Sequence, residues 1–212
     1  RDQPNGVFAW EDIKHYIIQL CDALTTAHNE NTAHRDLKPT QMMIDKGGRL
    51  KLCDFGIAAS MADSLSYSSM KHAVSGTLLF MSPQQMDGDR PQVTDDIYSV
   101  GATFYELLTG TLPFYQGDVS YQVRHKAVAP MSDRLKELEL VNDIPEYASA
   151  IVMACLQKDP AQRPQSMRVI REWIQEKKKM IQTKNFTPPT APQAQTPKMA
   201  SSAATKKAPA RG

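Results

Sequence analysis

The sequence predicts a mostly α-helical domain with one small β-hairpin. Between residues 10 and 28, apolar side chains recur at spacings of three and four, which is the pattern of an amphipathic helix. Two short β-like runs follow at residues 41–45 and 49–53, and the Lys-Gly-Gly sequence between them favours a hairpin turn. Residues 94–109 are apolar around most of the helical circumference, which indicates a buried central helix.

The ends of the central helix and the elements around it are predicted from local signals. Thr94 is the expected N-cap, Asp95 and Asp96 occupy the first turn, and Gly110 stands at the C-cap position. Residues 54–92 are rich in Ser, Met, Gly and Pro without a sustained period, so we expect a long loop with at most short helical pieces. Three further helices are predicted at residues 119–129, 147–157 and 166–179.

The charge of the chain is divided unevenly between a body and a tail. The net charge is +2, and residues 177–212 contain eight Lys and Arg residues and no acidic residue. Removing those eight charges leaves −6 for residues 1–176. Because the end of the chain is rich in Pro, Ala and Lys, we predict that residues 181–212 form a disordered basic linker. Such a tail attracts anionic membranes and nucleic acids, but its charges are not interleaved with aromatic residues, so no nucleic-acid partner is expected.

Cysteine content and hydropathy indicate the compartment. Cys21, Cys53 and Cys155 are far apart in apolar surroundings, which argues against a disulfide framework or a zinc site and favours a reducing, cytoplasmic setting. No apolar run approaches the roughly 20 residues that cross a bilayer. Neither an initiator Met nor a signal-peptide core begins the sequence, so we expect a piece of a longer protein. Any membrane anchor would lie outside these residues.

One stretch carries most of the functional information. His34-Arg35-Asp36-Leu37-Lys38-Pro39-Thr40-Gln41 is followed, after the predicted hairpin, by Asp54-Phe55-Gly56. With these motifs the chain resembles the protein kinase family, whose catalytic loop and metal-binding motif have the patterns H-R-D-L-x-x-x-N and D-F-G. The resemblance covers about residues 8–176. It includes five further short sequences in the family's order, namely Gly76-Thr77, Met81-Ser82-Pro83-Gln84, Asp96-Ile97-Tyr98-Ser99-Val100-Gly101, Tyr105-Glu106-Leu107-Leu108-Thr109-Gly110 and Lys158-Asp159-Pro160-Ala161-Gln162-Arg163-Pro164.

The resemblance implies a fold and an activity. Residues 1–180 would be the C-terminal lobe of a two-lobed α+β kinase domain that transfers a phosphoryl group from ATP, with Mg²⁺, to Ser or Thr hydroxyls of proteins. No Gly-rich loop or Val-Ala-Ile-Lys strand, which hold the nucleotide in the family, precedes Asp36. We therefore assign the function to the whole protein and expect the isolated chain to be inactive. The Ser82-Pro83-Gln84 sequence and the Pro/Ala-rich tail resemble bacterial receptor-type Ser/Thr kinases.

The resemblance also implies roles for individual residues of the site. Asp36 matches the catalytic base, and Lys38 matches the cation beside the transferred phosphate and favours a Ser/Thr acceptor over Tyr. Asp54 matches the magnesium ligand, a hard carboxylate that bridges the metal to the phosphates. Thr77 would hydrogen-bond Asp36 and Lys38 and help to seat the acceptor hydroxyl. His34, Phe55 and Gly56 match the remaining motif positions.

Other residues match supporting roles. Arg35 would pair with a phosphate on the segment between Asp54 and Gln84 and order that segment. Asp96 would accept backbone N–H groups from the turn at His34 and Arg35, a role that is compatible with ordinary helix capping. The candidate phosphate acceptors of the segment are Ser64, Ser66, Ser68, Ser69 and Ser75.

Two positions depart from the family's pattern. Gln41 replaces the Asn that binds the second magnesium ion, which moves the carboxamide one methylene farther from the backbone. Gln84 replaces the Glu that forms an ion pair with Arg163, although an amide oxygen still accepts from the guanidinium. These changes keep open a pseudokinase that acts as a binding or scaffolding module. A small-molecule kinase is a weaker alternative, because the sequence ends its long loop with Met81-Ser82-Pro83-Gln84, and a nucleic-acid binder is supported only by the tail.

Overall fold

The computed structural model describes residues 6–55, 59–60 and 77–176 of the 212 residues. The predicted fold class, mostly α-helical with a small β-hairpin, is confirmed. The helices of these residues are α1 (Trp10–Asn29), α2 (Pro83–Asp87), α3 (Val93–Thr109), α4 (Val119–His125), α5 (Met131–Glu137), α6 (Glu146–Cys155) and α7 (Met167–Gln175). The strands are β1 (Thr32–Ala33), β2 (Met42–Ile44), β3 (Leu50–Leu52) and β4 (Ala59–Ser60).

The helix α1 is the predicted amphipathic helix, and its apolar stripe faces the core. Ile13, Ile17, Leu20 and Leu24 are buried at the expected spacing. The same helix packs against α7, so the first and last described helices are neighbours. It extends one residue beyond the prediction, and the chain then turns at Asn31, which has a φ of +53°.

The helix α3 runs through the middle of the domain, and most of its residues are buried, as predicted. Thr94 is not its N-cap, which corrects the sequence-based assignment. Gln92 takes that position, because the carboxylate of Asp95 accepts the backbone N–H of Gln92 at 3.0 Å. Gly110 ends the helix in the left-handed conformation with a φ of +82°, as predicted.

The helices α3 and α6 approach each other closely at Gly101. A Cβ atom added to Gly101 would lie 2.7 Å from the Cβ of Cys155 and 3.0 Å from the Cγ of Leu156. These distances are shorter than ordinary contacts between carbon atoms. Only glycine fits at this crossing without a shift of the helices.

The strands β2 and β3 form the predicted hairpin. They pair antiparallel, from Met42 opposite Leu52 to Ile44 opposite Leu50. The carboxylate of Asp45 accepts two backbone N–H groups of the turn, at 2.8 and 3.0 Å. The hairpin places the two motif-bearing segments that flank it side by side.

Several helix predictions need correction. The helix α4 ends at His125 and not at residue 129, because Lys126 has an extended backbone. The helix α5 was not predicted, because it is too short to show a long apolar pattern. Burial of Met131 and Leu135 stabilises it. The helix α6 covers Glu146–Cys155, and α7 begins at Met167 with Ser166 as its N-cap. The predicted linker at residues 181–212 lies outside the described residues.

None of the helices in the described part of the chain has the length and apolar content that a membrane span requires.

Candidate active site

One buried carboxylate holds the turn at His34 and Arg35. Asp96, in the first turn of α3, is fully buried, and its two oxygens accept the backbone N–H groups of His34 and Arg35 at 2.8 Å each. The Nε2 atom of His28, near the end of α1, lies 2.8 Å from Asp96 Oδ2. The hydrogen bonds expected from the sequence are therefore present. Through them, α3 fixes the start of the loop that carries Asp36.

Arg35 has a strained backbone and a buried side chain. Its φ of +67° lies in the left-handed region, which costs a residue other than glycine about 1–2 kcal/mol. Burial lowers the pKa of its guanidinium, and the carboxylates of Asp95 and Asp96 oppose that shift. The serines proposed as its phosphate-bearing partners lie outside the described residues, so the pairing stays a prediction.

Asp36 and Lys38 form a charged pair at the end of this turn. The Nζ atom of Lys38 lies 3.0 Å from Asp36 Oδ1 and 2.8 Å from Asp36 Oδ2. The side chain of Asp36 is 6% exposed and that of Lys38 is 20% exposed. A base and a cation side by side have the chemistry needed to accept a proton and to neutralise a phosphate. The side chain of Thr77, predicted to join them, is outside the described part.

Gln41 connects this pair to the second acid, Asp54. Its Nε2 atom lies 3.3 Å from Asp36 Oδ2 and 3.4 Å from Asp54 Oδ2. The backbone holds the two segments together, because the N–H of Cys53 donates to the carbonyl of Gln41 at 2.9 Å. The structure therefore brings together four of the five residues predicted for catalysis and metal binding, Asp36, Lys38, Gln41 and Asp54.

The ring of Phe55 packs on the ring of His34. Their centroids are 4.6 Å apart with an angle of 56° between the planes. The Nε2 atom of His34 lies 3.1 Å from the carbonyl oxygen of Cys53, which joins the loop to the end of β3. Gly56 lies outside the described residues, and the supporting roles of His34 and Phe55 stay predictions.

Gln84 and Arg163 form the contact that replaces the family's ion pair. Gln84 Oε1 accepts from Arg163 Nη2 at 2.6 Å, and Gln84 Nε2 donates to the carbonyl of Lys158 at 3.1 Å. Arg163 also donates to the carbonyls of Thr94 and Gln157, at 2.8 and 2.7 Å. Burial lowers the pKa of Arg163, and Asp95 opposes the shift. A hydrogen bond from the Arg163 guanidinium to the neutral amide of Gln84 thus attaches α2 to the segment after α6 and to the start of α3.

Lys158 is a cation beside this contact that the sequence analysis did not single out. Its Nζ atom lies 4.5 Å from the ring centroid of Phe114 and 5.7 Å from that of Tyr98. Among the described residues it donates no hydrogen bond. Burial, and then the charge of Arg163, lower the pKa of Lys158 to about 7, while the ring faces favour the ammonium form.

Replacing Lys158 with methionine is expected to flatten the pH dependence of stability above neutral pH. The pKa of Lys158 in the folded protein, about 7, is below the ordinary value of about 10.4. Between these values the folded state binds fewer protons than the unfolded state, so stability rises with pH. The substitution removes this rise, which is at most about 1.4 kcal/mol per pH unit.

Urea unfolding at about pH 7 and about pH 9 measures this slope, because it spans the titration of the folded-state lysine. Lys136→Met is the matched control, since the side chain of Lys136 is 80% exposed. The control should keep the wild-type slope. Equal slopes in the wild type and Lys158→Met would contradict the prediction.

A buried polar network behind the loop that carries Asp36 was also not predicted from the sequence. Gln85 Nε2 donates to the carbonyl of Arg35 at 3.0 Å, and Gln85 Oε1 accepts from the backbone N–H of Ser82 at 3.2 Å. Ser82 Oγ donates to Asp95 Oδ1 at 2.6 Å. Burial raises the pKa of Asp95, and the hydrogen bonds from Ser82 and Gln92 oppose the shift. The sequence Ser82-x-x-Gln85 is a signal for a capping box, but it does not reveal the bond to Arg35.

The donors at the site suit a small, hard cation. Carboxylate and carboxamide oxygens, as in Asp54 and Gln41, are the ligand types that Mg²⁺ prefers. Within residues 6–55 and 77–176, no group of three His, Cys, Asp or Glu side chains is arranged to hold a metal ion. Oxygens of phosphate and water would therefore complete the coordination of magnesium here, as is usual for that ion.

The loop, the hairpin and the helices that follow are arranged as in the helical lobe of a protein kinase domain. The comparison with protein families gives the same result: the family described as "Protein kinase domain" matches residues 2–174. The chain belongs to the protein kinase family.

Similar curated proteins are bacterial serine/threonine-protein kinases. A probable serine/threonine-protein kinase PknB of Corynebacterium glutamicum is 36% identical over 166 residues, which are 76% of this chain and 25% of that protein. The serine/threonine-protein kinase PknB of Mycobacterium tuberculosis is 35% identical over 178 residues, 83% of this chain and 27% of that protein. That of Mycolicibacterium smegmatis is 36% identical over 159 residues, 73% and 24% respectively. The chain thus spans about a quarter of the length of these relatives.

Proposed function

We propose that the protein is a serine/threonine protein kinase that transfers the γ-phosphoryl group of ATP to Ser or Thr hydroxyls of protein substrates. The observation that carries the proposal is the cluster of Asp36, Lys38, Gln41 and Asp54 on a loop that α3 holds through Asp96. Membership of the protein kinase family and similarity to bacterial Ser/Thr kinases support it.

The reaction follows from the chemistry of these side chains. The acceptor hydroxyl oxygen forms a bond to the γ-phosphorus, the bond from that phosphorus to the bridging oxygen of ADP breaks, and Asp36 takes the hydroxyl proton. Lys38, 2.8 Å from Asp36, neutralises negative charge on the transferred phosphoryl group. Asp54 and Gln41 would hold magnesium, which neutralises charge on the phosphate oxygens when it is bound.

Binding of ATP requires parts of a kinase domain other than these residues. The parts of the family that cover the phosphates and pair with the nucleotide, a Gly-rich loop and a strand lysine, are absent from the sequence before Asp36. We therefore propose that the isolated chain binds ATP poorly and transfers phosphate negligibly. In the whole protein we propose a cytoplasmic kinase domain with protein substrates and ATP as its partners and no nucleic acid. A membrane would be reached only through segments outside this chain.

Autophosphorylation of the full-length protein tests the proposed function. With ATP and magnesium, mass spectrometry is expected to find phosphate between Ser64 and Ser75, because Arg35 lies beside the base and is a suitable partner for a phosphorylated segment. Substitution of Arg35 by methionine should then reduce the activity of the phosphorylated enzyme. An active enzyme whose segment remains unmodified would remove Arg35 from regulation. Absence of transfer at every magnesium concentration would contradict the kinase proposal.

A pseudokinase is the second candidate, and Gln41 and Gln84 are the observations that favour it. Gln41 replaces the family's shorter Asn, and Gln84 replaces its charged Glu. The structure nevertheless gives each a contact, Gln41 with two carboxylates and Gln84 with Arg163. Nucleotide binding without transfer in the full-length protein is the result that would select this candidate.

A further inference from the structure

The carbonyl of Arg35 is bonded to a buried side chain to which the proposed reaction gives no role. Gln85 Nε2 donates to this oxygen at 3.0 Å, and Gln85 is 2% exposed. The same peptide unit contains the N–H of Asp36, which lies 3.3 Å from His34 Nδ1. Side chains therefore bind both polar groups of the peptide unit that leads into Asp36.

The backbone at Arg35 depends on this support. Its left-handed conformation costs about 1–2 kcal/mol, so neighbouring groups must hold it. Asp96 binds the N–H of Arg35 at 2.8 Å, on one side of the residue. Gln85 binds the carbonyl on the other side, and a buried carbonyl without a donor costs about 1–3 kcal/mol. Without Gln85, relaxation of this peptide unit would move the Cα atom of Asp36.

Gln85 is itself held on a fixed element. The backbone N–H of Gln85 donates to Ser82 Oγ at 3.0 Å, and Ser82 Oγ donates to Asp95 of α3 at 2.6 Å. Because α3 also carries Asp96, the same helix supports both contacts that hold Arg35.

We propose that Gln85 is a positioning residue for phosphoryl transfer, which orients Asp36 by binding the carbonyl of Arg35. The inference rests on the proposed function, and it adds α2 to the elements that determine the geometry of the base. Gln85 contacts the backbone of the loop, so it acts through Asp36 and leaves nucleotide binding unaffected.

A competing explanation is that Gln85 only caps α2. Its Oε1 atom accepts from the N–H of Ser82, which completes a capping box. Gln85→Glu separates the two roles. A glutamate keeps the acceptor for Ser82, but in its ionised form it has no donor for the carbonyl of Arg35. In its protonated form the carboxyl group can donate to that carbonyl again.

The test measures kcat and the KM for ATP of the full-length protein from about pH 6 to about pH 9, a range in which a buried glutamate can titrate. For Gln85→Glu we expect kcat about 10- to 100-fold below the wild-type value at the upper end of this pH range. As the pH falls, the ratio of the variant's kcat to the wild-type kcat should rise towards the wild-type level. The KM for ATP should stay at the wild-type value. Gln85→Met lacks a donor at every pH, so its ratio should be low throughout. The charged groups near position 85 are His34, Arg35, Asp36, Asp95 and Asp96, and Gln85→Met, measured over the same pH range, is the reference in which no new carboxyl group acts on them.

Gln122→Glu is the matched control. It removes the same type of bond, from Gln122 Nε2 to the carbonyl of Gln116 at 2.6 Å, at the start of α4. Its kcat should equal that of the wild type at each pH. A wild-type kcat in Gln85→Met, or a wild-type kcat in Gln85→Glu at the upper end of the pH range, would overturn the proposal. If Gln85→Glu does not fold, Gln85→Met alone tests the proposal: a lower kcat with an unchanged KM for ATP would support it, and a wild-type kcat would overturn it.

Amide hydrogen exchange keeps this proposal separate from the proposed function. In Gln85→Met, the N–H groups of Arg35 and Asp36 should exchange about tenfold faster than in the wild type, as expected for a loss of about 1.4 kcal/mol in local stability. If the wild type transfers no phosphoryl group, the kinase proposal fails, and exchange alone decides the role of Gln85. Unchanged exchange at both positions would then overturn it.

Discussion

Replacing Asp36 with asparagine in the full-length protein is expected to remove phosphoryl transfer and to leave ATP binding largely intact. Asparagine has nearly the same size as aspartate, but it cannot take the proton of the acceptor hydroxyl. General base catalysis contributes about 10²- to 10⁴-fold to rates, so kcat should fall by about that factor. The change also removes the ion pair with Lys38, whose Nζ atom lies within 3.0 Å of both carboxylate oxygens.

Initial rates of transfer to a protein acceptor, together with titration of nucleotide binding, measure the two parts of this prediction. Asp143→Asn is a suitable control, because Asp143 is exposed in the loop before α6. It should retain the wild-type rate. Comparable turnover in Asp36→Asn and wild type would reject Asp36 as the base.

Gln41→Asn is expected to lower the magnesium concentration that the full-length protein needs for half-maximal activity. One methylene changes the reach of the carboxamide by about 1.3–1.5 Å. Octahedral magnesium requires ligands at about 2.0–2.1 Å, so we expect the longer side chain of the wild type to hold a second magnesium ion less tightly. Changes next to metal ligands alter affinity about 10- to 100-fold, and we expect a shift near the lower value. Gln41 lies between the carboxylates of Asp36 and Asp54, so the change in side-chain length acts there.

A titration of initial rate against magnesium, run side by side for wild type and Gln41→Asn, tests this expectation. The exposed Gln116→Asn is the control for the loss of one methylene, and it should follow the wild-type curve. Identical curves for wild type and Gln41→Asn would mean that Gln41 already reaches the metal or that the second site contributes little. No activity in any of the proteins would favour the pseudokinase.

Local signals made part of the fold predictable. The apolar spacing of α1, the Lys-Gly-Gly turn of the hairpin and Gly110 after α3 act within a few neighbouring residues, and all three elements form as expected. The helix α5 carries no such signal: it is seven residues long and is stabilised by packing against α3. The strands β1 and β4 pair although the loop with Asp36 and the whole β2–β3 hairpin lie between them in the sequence, and no local pattern encodes this pairing.

The candidate site also has a part that the sequence predicts and a part that it does not. Asp36, Lys38, Gln41 and Asp54 belong to two motifs, and one hairpin between the motifs is sufficient to bring them together. The contacts of Gln85 with Arg35 and of Lys158 with Phe114 connect residues 50 and 44 positions apart, and they depend on how α2 and the end of α6 pack. Tertiary packing creates these contacts, so spacing along the chain does not predict them.

The close crossing of α3 and α6 at Gly101 has a consequence for chemical labelling. Cys155 lies directly against that crossing, and burial raises the pKa of its thiol. Burial also raises the pKa of Cys21 to about 12. Alkylating reagents react with thiolates that they can reach, so the Cys155 thiol stays inert while α3 and α6 remain in contact. Cys53 is half-buried beside the candidate site. Alkylation of Cys155 therefore reports separation of α3 from α6, without any engineered probe.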